Sequence, residues 1–384
     1  MAFNPVRKMV DNIAAIRIAL DFTGQQLSET ELETLRSYAG FGGLKAVLFP
    51  PGELSEWARL GASKNDLKLY PEVMELYDLL QEKLTDKEYK AAIDALKSSS
   101  STAYYTPDYI PEVIYAAMAE CNILPKRIYE PSAGAGVFIG EAIKAFDDME
   151  RITAVEKDIL TGKVLKAICS TYGVPVDVQI KKLEETTAAE KAQSDIVISN
   201  IPFGKIAVHD PAYNKSGISA KIHTYFFAKG LDKIKDGGIL AYIVTDAFLN
   251  NPSNAAARKY LFTSADLLTV AVLPANLMKE NANVEVGMHL ILVQKNDTKE
   301  TLTKAESQLI DTVERENTFG KYYLNAWLAD KNELVYADEI IEGTNARGKA
   351  SRLAWQNGKM QDILPLLKKQ LIAGFNHFDR AKWE

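Results

Sequence analysis

Two cysteines, four histidines and a slight shortage of positive charge are the first limits that this 384-residue chain sets on its own chemistry. Cys121 and Cys169 are too few for a thiolate zinc site, and each lies in a helical-looking stretch, so buried reduced thiols and no bound metal are expected. The histidines are scattered and read as structural or surface residues. No apolar run approaches the roughly 18 residues needed to span a bilayer, which excludes a membrane protein. The start, MAFNPVRKMV, leads into no apolar stretch with a small-residue cleavage site, so a cytoplasmic protein is expected. Lys and Arg number 45 against 51 Asp and Glu, a net charge of -6, and no polyanion partner is advertised over the whole surface. The end differs locally. After Gly343, Arg347, Lys349, Arg352, Lys359, Lys368, Lys369, Arg380 and Lys382 stand against Asp362, Asp379 and Glu384, a region that could face phosphate or be a solvated helix surface.

What is present falls into two textures. Before residue 98 the pattern is helical. Ser28 with Glu31, and Thr85 with Glu88, have capping-box spacing ahead of apolar-periodic runs, and Pro71 stands near the start of YPEVMELYDLLQEKL. A helical N-terminal unit is therefore expected over 1–97. The serine tract 98–102 lacks bulk and periodicity and reads as a linker. From 103 to 298, short β-type runs alternate with amphipathic helical ones: RIYE, ITAVE, VDVQI, DIVISN, ILAYIVT, LLTVAVL and MHLILVQK are the strands. That alternation predicts an α/β domain with a mostly parallel seven-stranded sheet and helices on both faces, its ligands at the carboxyl ends of the strands. Beyond 298 the periodicity weakens, and 299–384 is expected as a mixed tail able to contact DNA.

Two strand ends point at one adenosine. RIYEPSAGAGVFIGEA passes from strand to helix through Pro131, Ser132, Ala133, Gly134, Ala135 and Gly136, where missing side chains let backbone approach a ligand. Glu156 ends ITAVE at the position where an acidic side chain grips ribose hydroxyls. Gly134, Gly136 and Gly140 could equally be the phosphate turn of an NAD(P)-dependent enzyme, so the choice rests on the fourth strand.

That strand, DIVIS, runs into Asn200-Ile201-Pro202-Phe203. An exocyclic amine on an aromatic ring is a poor nucleophile because its lone pair is spread into the ring. Two acceptors that take its hydrogens localise the pair, and a flat ring stacked on the base holds the nitrogen in line with an activated methyl group. Asn200 offers a side-chain oxygen, Ile201 a carbonyl, Pro202 stiffens the turn and Phe203 supplies the stacking face. No strongly shifted general base is needed, in keeping with the scarcity of histidine and cysteine.

EPSAGAGVF, AVEKD and SNIPFG, preceded by TAYYTPDYIPEVI, resemble the N6-adenine DNA methyltransferases over about residues 100–295. The resemblance implies a Rossmann-like methyltransferase fold, S-adenosylmethionine as cofactor and DNA as substrate. Tyr105, Thr106 and Pro107 would close over the cofactor. Glu130 and Pro131 would open the glycine turn, with Ala133, Gly134 and Gly136 along the methionine part. Glu156 would hold the ribose, Glu184 (or Glu185 beside it in LEET) would read the cofactor adenine, and Asn200 to Phe203 would form the target-base pocket. YAGFGGLKAVLF also looks like a segment ahead of methylase modules in large phage and mobile-element proteins; by itself it is a helix end followed by a glycine turn. The family usually has proline where this chain has Ile201, but the group required there is a backbone carbonyl, and a residue before proline is already extended. Only about 90 residues follow MHLILVQK, so sequence choice falls to the N-terminal helices, to the loop 205–222 with Lys205, Tyr213, Lys215 and Lys221, or to a partner subunit. The competing activities are methylation of RNA guanine or of a protein glutamine amide, and a catalytically idle module of a mobile-element assembly.

Overall fold

The computed structural model describes residues 4–100, 105–186, 193–204, 208–213, 221–279, 283–345 and 347–384. Six helices come first: α1 (Pro5–Asp21), α2 (Glu29–Arg36), α3 (Leu54–Arg59), α4 (Lys64–Leu67), α5 (Tyr70–Lys83) and α6 (Asp86–Ser99). Ser28 and Thr85 cap α2 and α6, and each shares a reciprocal capping box with the glutamate three residues on, Glu31 or Glu88. These caps satisfy backbone N–H groups that a helix start leaves without partners. In α5 the buried Val73, Leu76, Tyr77 and Leu80 form one stripe at helical spacing. Helix α6 runs through Ser98 and Ser99, so those two serines are its last turn and not part of a linker, and Ser100 caps it. Ser99 and Ser100 are buried, and small side chains permit that close approach. The rest of the expected linker, 101–102, lies outside the described residues.

The sheet has seven strands: β1 (Arg127–Glu130), β2 (Arg151–Glu156), β3 (Val176–Ile180), β4 (Ser194–Asn200), β5 (Ile234–Thr245), β6 (Ala265–Leu273) and β7 (Met288–Lys295). They lie in the order β3-β2-β1-β4-β5-β7-β6, parallel except for β7, which runs against both neighbours. This is the Rossmann-like methyltransferase architecture. Side chains alternate as a doubly covered sheet requires. Ile196, Ile198, Ile239, Ala241 and Ile243 belong to one core, and Val197, Leu240, Tyr242 and Val244 to the other. The first core is closed by α7 (Tyr109–Glu120) and α8 (Val137–Ala145), the second by α10 (Ile222–Lys233) and α11 (Ala255–Ser264). Strand order reverses between β1 and β4, so a crevice opens outside their carboxyl ends.

Helix α9 (Ile159–Cys169) is shared. Its Leu160, Val164, Ala167 and Ile168 pack in one cluster with Met9, Ile13, Ile16 and Leu35, so the N-terminal helices and the sheet domain have a common core.

The region after 298 is not a tail. Hairpins β8 (Thr312–Asn317) with β9 (Gly320–Asn325), and β10 (Glu339–Thr344) with β11 (Ala350–Trp355), precede a helix, Leu364–Phe375, whose Leu367, Leu371 and Phe375 enter the first core. Several of its cations are engaged internally. Lys368 pairs with Glu120 at 2.7 Å, Arg352 donates to the Ala329 carbonyl at 3.0 Å, Arg380 to the Cys121 carbonyl, and Lys382 to Asn296. No helix among the described residues is long and apolar enough to cross a membrane.

Candidate active site

A cleft lies over the crevice between β1 and β4. Its walls include Tyr105, Thr106, Glu130, Ala133, Gly134, Glu156 and the whole of Asn200 to Phe203, so two strand ends, the glycine turn and the tetrapeptide meet in one hollow. Register explains the meeting: β1 and β4 pair side by side, with Tyr129 opposite Val197, so Glu130 and Asn200 both finish at the same edge.

The turn after β1 is built around Glu156. Its carboxylate accepts from the N–H of Gly134 at 2.9 Å and from the N–H of Asp158 at 2.8 Å, and the Ala133 N–H reaches the Val155 carbonyl at 2.9 Å. Gly134 has φ +54°, which L side chains rarely adopt, and a Cβ there would stand 2.6 Å from the Tyr105 ring. Glycine is needed for both reasons. Gly136, at φ 85°, forms the left-handed N-cap of α8. Pro131 and Pro107 are buried behind the cleft wall, and the Pro107 carbonyl accepts from Ile110 as α7 begins.

Three carboxyls converge here with Lys157 as the cation among the lining residues. Glu130 is 1% exposed, its Oε2 has no partner among the described residues, and burial followed by the nearby Glu156 holds its pKa well above the ordinary carboxyl range. Burial, reinforced by Asp158, pushes Glu156 up to about 7 against the pull of its two N–H donors. Asp158 is raised by burial as well, although it caps α9 by accepting from Leu160 and Thr161. Thr106 Oγ1 is a second buried atom without a partner among the described residues.

At the tetrapeptide, the Ile201 N–H donates to the Ile243 carbonyl at 3.1 Å, which anchors the turn to β5 and buries the Ile201 side chain to 1% exposure. Phe203 is 9% exposed and packs into the first core, so the ring is supported from behind while it lines the cleft. His223 adds a support that the sequence reading missed. It has a hydrogen bond to the Pro202 carbonyl, and burial pushes its pKa down to about 4, so the ring is neutral near pH 7.

Glu184 stands apart. It lies on the 3-10 turn Leu183–Glu185, outside the residues lining the cleft, and its charge bears on Tyr225. Conversely, Ser99, Ser132, Val137, Phe138, Lys157, Asp158 and Thr161 line the cleft without having been singled out. The acid two residues after Glu156 and the hydroxyl three residues later were legible as a cap on the next helix, but not as a cleft wall. In the loop 205–222, Tyr213 is 8% exposed and bonds to Asp232, while Lys221 donates to the Ser253 carbonyl at 2.7 Å and to Asn254 at 2.8 Å. Tyr213 is thus buried, while Lys221 is exposed and tied to the start of the Ala255–Ser264 helix. Lys205 and Lys215 lie outside the described residues. Among the described residues no cluster of His, Cys, Asp or Glu is arranged to hold a metal ion.

The N-6 DNA methylase family profile matches residues 88–345. The chain is 26% identical over 290 residues to defense against restriction protein B of Escherichia phage P1, covering 74% of this chain and 12% of that protein. It is 28% identical over 187 residues to the type II methyltransferase M.XamI of Xanthomonas campestris pv. amaranthicola, covering 44% of this chain and 35% of that enzyme. Thus it spans only a minor part of the length of either relative. Among solved structures, the methyltransferase subunit of a type I restriction-modification system from Streptococcus thermophilus superposes with a TM-score of 0.48 at 16% identity, covering 96% of this chain and 76% of that one.

Proposed function

The chain belongs to the N-6 DNA methylase family, and from that premise we propose that it transfers a methyl group from S-adenosylmethionine to the N6 amine of adenine in DNA. The observation that carries this reading is the convergence of Glu130, Glu156 and Asn200 on one cleft at the strand-order reversal. A hollow whose walls carry three buried carboxyls suits a cationic ligand and repels the pyrophosphate of a dinucleotide, which weighs against the NAD(P) alternative. The orphaned Glu130 Oε2 and Thr106 Oγ1 fit a ligand bearing donors.

On this proposal Glu156 holds the ribose hydroxyls, Glu130 and the glycine turn face the methionine end, and Tyr105 closes the site. The sulfonium supplies an activated methyl group. The chain's own residues do the rest. Asn200 Oδ1 and the Ile201 carbonyl accept the two amine hydrogens, which keeps the nitrogen lone pair directed along the transfer axis. His223 and the bond from Ile201 to Ile243 hold that turn still. Phe203 stacks on the base, which has been flipped out of the duplex at a cost of a few kcal/mol. Glu184, away from the cleft wall, is assigned to the adenine of the cofactor only if its turn closes on binding.

The net charge of -6 and the internal pairing of several C-terminal cations favour a partner subunit that supplies sequence recognition, and such a subunit is part of the proposal. The test is incubation of the purified chain with labelled S-adenosylmethionine and DNA, then digestion to nucleosides and identification of N6-methyladenine. Methylated RNA or protein with unmodified DNA would favour the rival substrates, and cofactor binding without product would favour an idle module.

A further inference from the structure

The segment YAGFGG, residues 38–43, precedes the residues matched by the family profile, yet its backbone forms one wall of the slot that holds Tyr105. A Cβ on Gly40 would lie 2.6 Å from Tyr105 Cε2, 2.8 Å from its hydroxyl and 2.9 Å from Cζ. From the opposite edge, a Cβ on Gly134 would lie 2.6 Å from Cε1 and 3.0 Å from Cδ1. The ring is thus inserted between two glycines, one from the N-terminal helices and one from the cleft turn. Its hydroxyl meets Thr161 Oγ1 at 3.3 Å, and the Tyr38 hydroxyl shares that threonine at 2.9 Å.

The Gly40 side of this slot is held firmly. Asn12, fully buried on α1, donates to the Gly40 carbonyl at 2.7 Å and accepts from the Ala39 N–H at 2.9 Å. Lys8 donates to the Gly42 carbonyl at 2.9 Å, and the Gly43 N–H reaches the Ser100 carbonyl at 3.1 Å. Helix α1 in turn packs on α9, which carries Thr161. A neighbour 2.6 Å away is cheap to move only when the side chain is free at its far end, and Tyr105 is not: Gly134 blocks one edge and Thr161 occupies the hydroxyl.

We propose that the N-terminal helices are a working part of the cofactor site, with Gly40 as a positioning residue that sets where the Tyr105 ring stands over the glycine turn. This rests on the reading of the cleft as the S-adenosylmethionine site. It explains why a tightly hydrogen-bonded glycine turn is attached to a helical bundle that contributes no reacting group.

The test is calorimetric titration of the full chain with S-adenosylmethionine in four forms: wild type, Gly40→Ala, Tyr105→Ala and the double variant. Gly40 has φ +64°, so alanine there strains the backbone in either background and lowers the melting temperature in both, more so where the Tyr105 ring is also overpacked. Cofactor affinity separates the two effects. Gly40→Ala is expected to weaken binding about tenfold when Tyr105 is present, as overpacking displaces the ring, and less than about twofold when it is alanine. A milder arm avoids misfolding: Tyr38→Phe keeps the ring, frees Thr161 and is expected to weaken binding about threefold. Equal affinity of wild type and both single N-terminal variants, or equal weakening by Gly40→Ala in the two Tyr105 backgrounds, overturns the inference alone. Absence of binding by the wild-type chain overturns the cofactor reading and the inference with it.

Discussion

Cofactor affinity should rise steeply with pH below about 7, and Glu156 is the reason. In the free chain its carboxyl is raised from 4.5 to about 7, so it is half protonated near neutrality. Ribose hydroxyls donate more strongly to the ionised form than to the protonated one, so binding favours proton loss. If the bound state returns Glu156 to its ordinary value, affinity at pH 5 is about a hundredfold below the plateau reached above pH 8, and nearly one proton leaves per cofactor bound near pH 6. The same shift bears on stability. A carboxyl with a raised folded pKa contributes fully below its unfolded value, and that contribution is lost as pH rises through the folded one. The free protein therefore loses about 3 kcal/mol between pH 4.5 and 7 from this group. Glu156→Gln supplies the control. One oxygen cannot serve both the Gly134 and Asp158 N–H groups as the carboxylate does, which costs about 1–3 kcal/mol, while the buried charge is gone. At pH 8 the two effects nearly cancel and the variant melts close to wild type; at pH 5 it melts lower. Calorimetry across pH 5 to 8 in buffers of different ionisation heat reads both affinity and proton release. A flat affinity with no proton release in the wild type would refute the reasoning.

Asn200→Ala is expected to lower methyl transfer at least a hundredfold in single-turnover assays while the cofactor dissociation constant stays within about twofold. Phe203→Ala should raise the KM for DNA more than it lowers kcat, since stacking is worth about 1–3 kcal/mol per base. Leu371→Ala, in the helix that follows the hairpins, should destabilise the whole domain by about 2–5 kcal/mol in one unfolding transition, because Leu371 is fully buried in the first core. A second, independent transition would show that the C-terminal region folds separately.

The sheet and the glycine turn were legible because their signals are local. Strands such as ITAVE and DIVISN announce themselves by apolar runs bounded by turns, and a glycine turn between strand and helix leaves few alternatives. Asn200 could be placed in the cleft from sequence because a strand end in a parallel sheet points to one edge. The serines at 98–100 were misread because composition says nothing about helix length. The Thr85 cap and a 14-residue helix carry the chain through Ser99 and up to the cleft. The C-terminal helix was obscured by attention to its lysines, although Leu364, Leu367, Leu371 and Phe375 repeat at helical spacing. The placement of Lys221 and Tyr213 depends on partners at Ser253 and Asp232, which no local pattern encodes. The slot around Tyr105 joins residues 40, 105, 134 and 161, and only the packing of α1 on α9 brings them together.

Three carboxyls buried in one hollow beside one lysine among the described residues would be untenable if all were ionised, since each charge deprived of water costs several kcal/mol. Burial opposes this by raising all three, so with protons bound the empty cleft carries less negative charge than three carboxylates would. A sulfonium and an ammonium entering the same space take over that neutralising role, and the protons can leave. The positive charge at sulfur disappears when its methyl group is transferred, which removes part of what held the carboxylates ionised. On the proposed function the cleft is therefore expected to bind the charged cofactor more tightly than the thioether product, and equal affinity for the two at pH 8 in calorimetric titration would refute this.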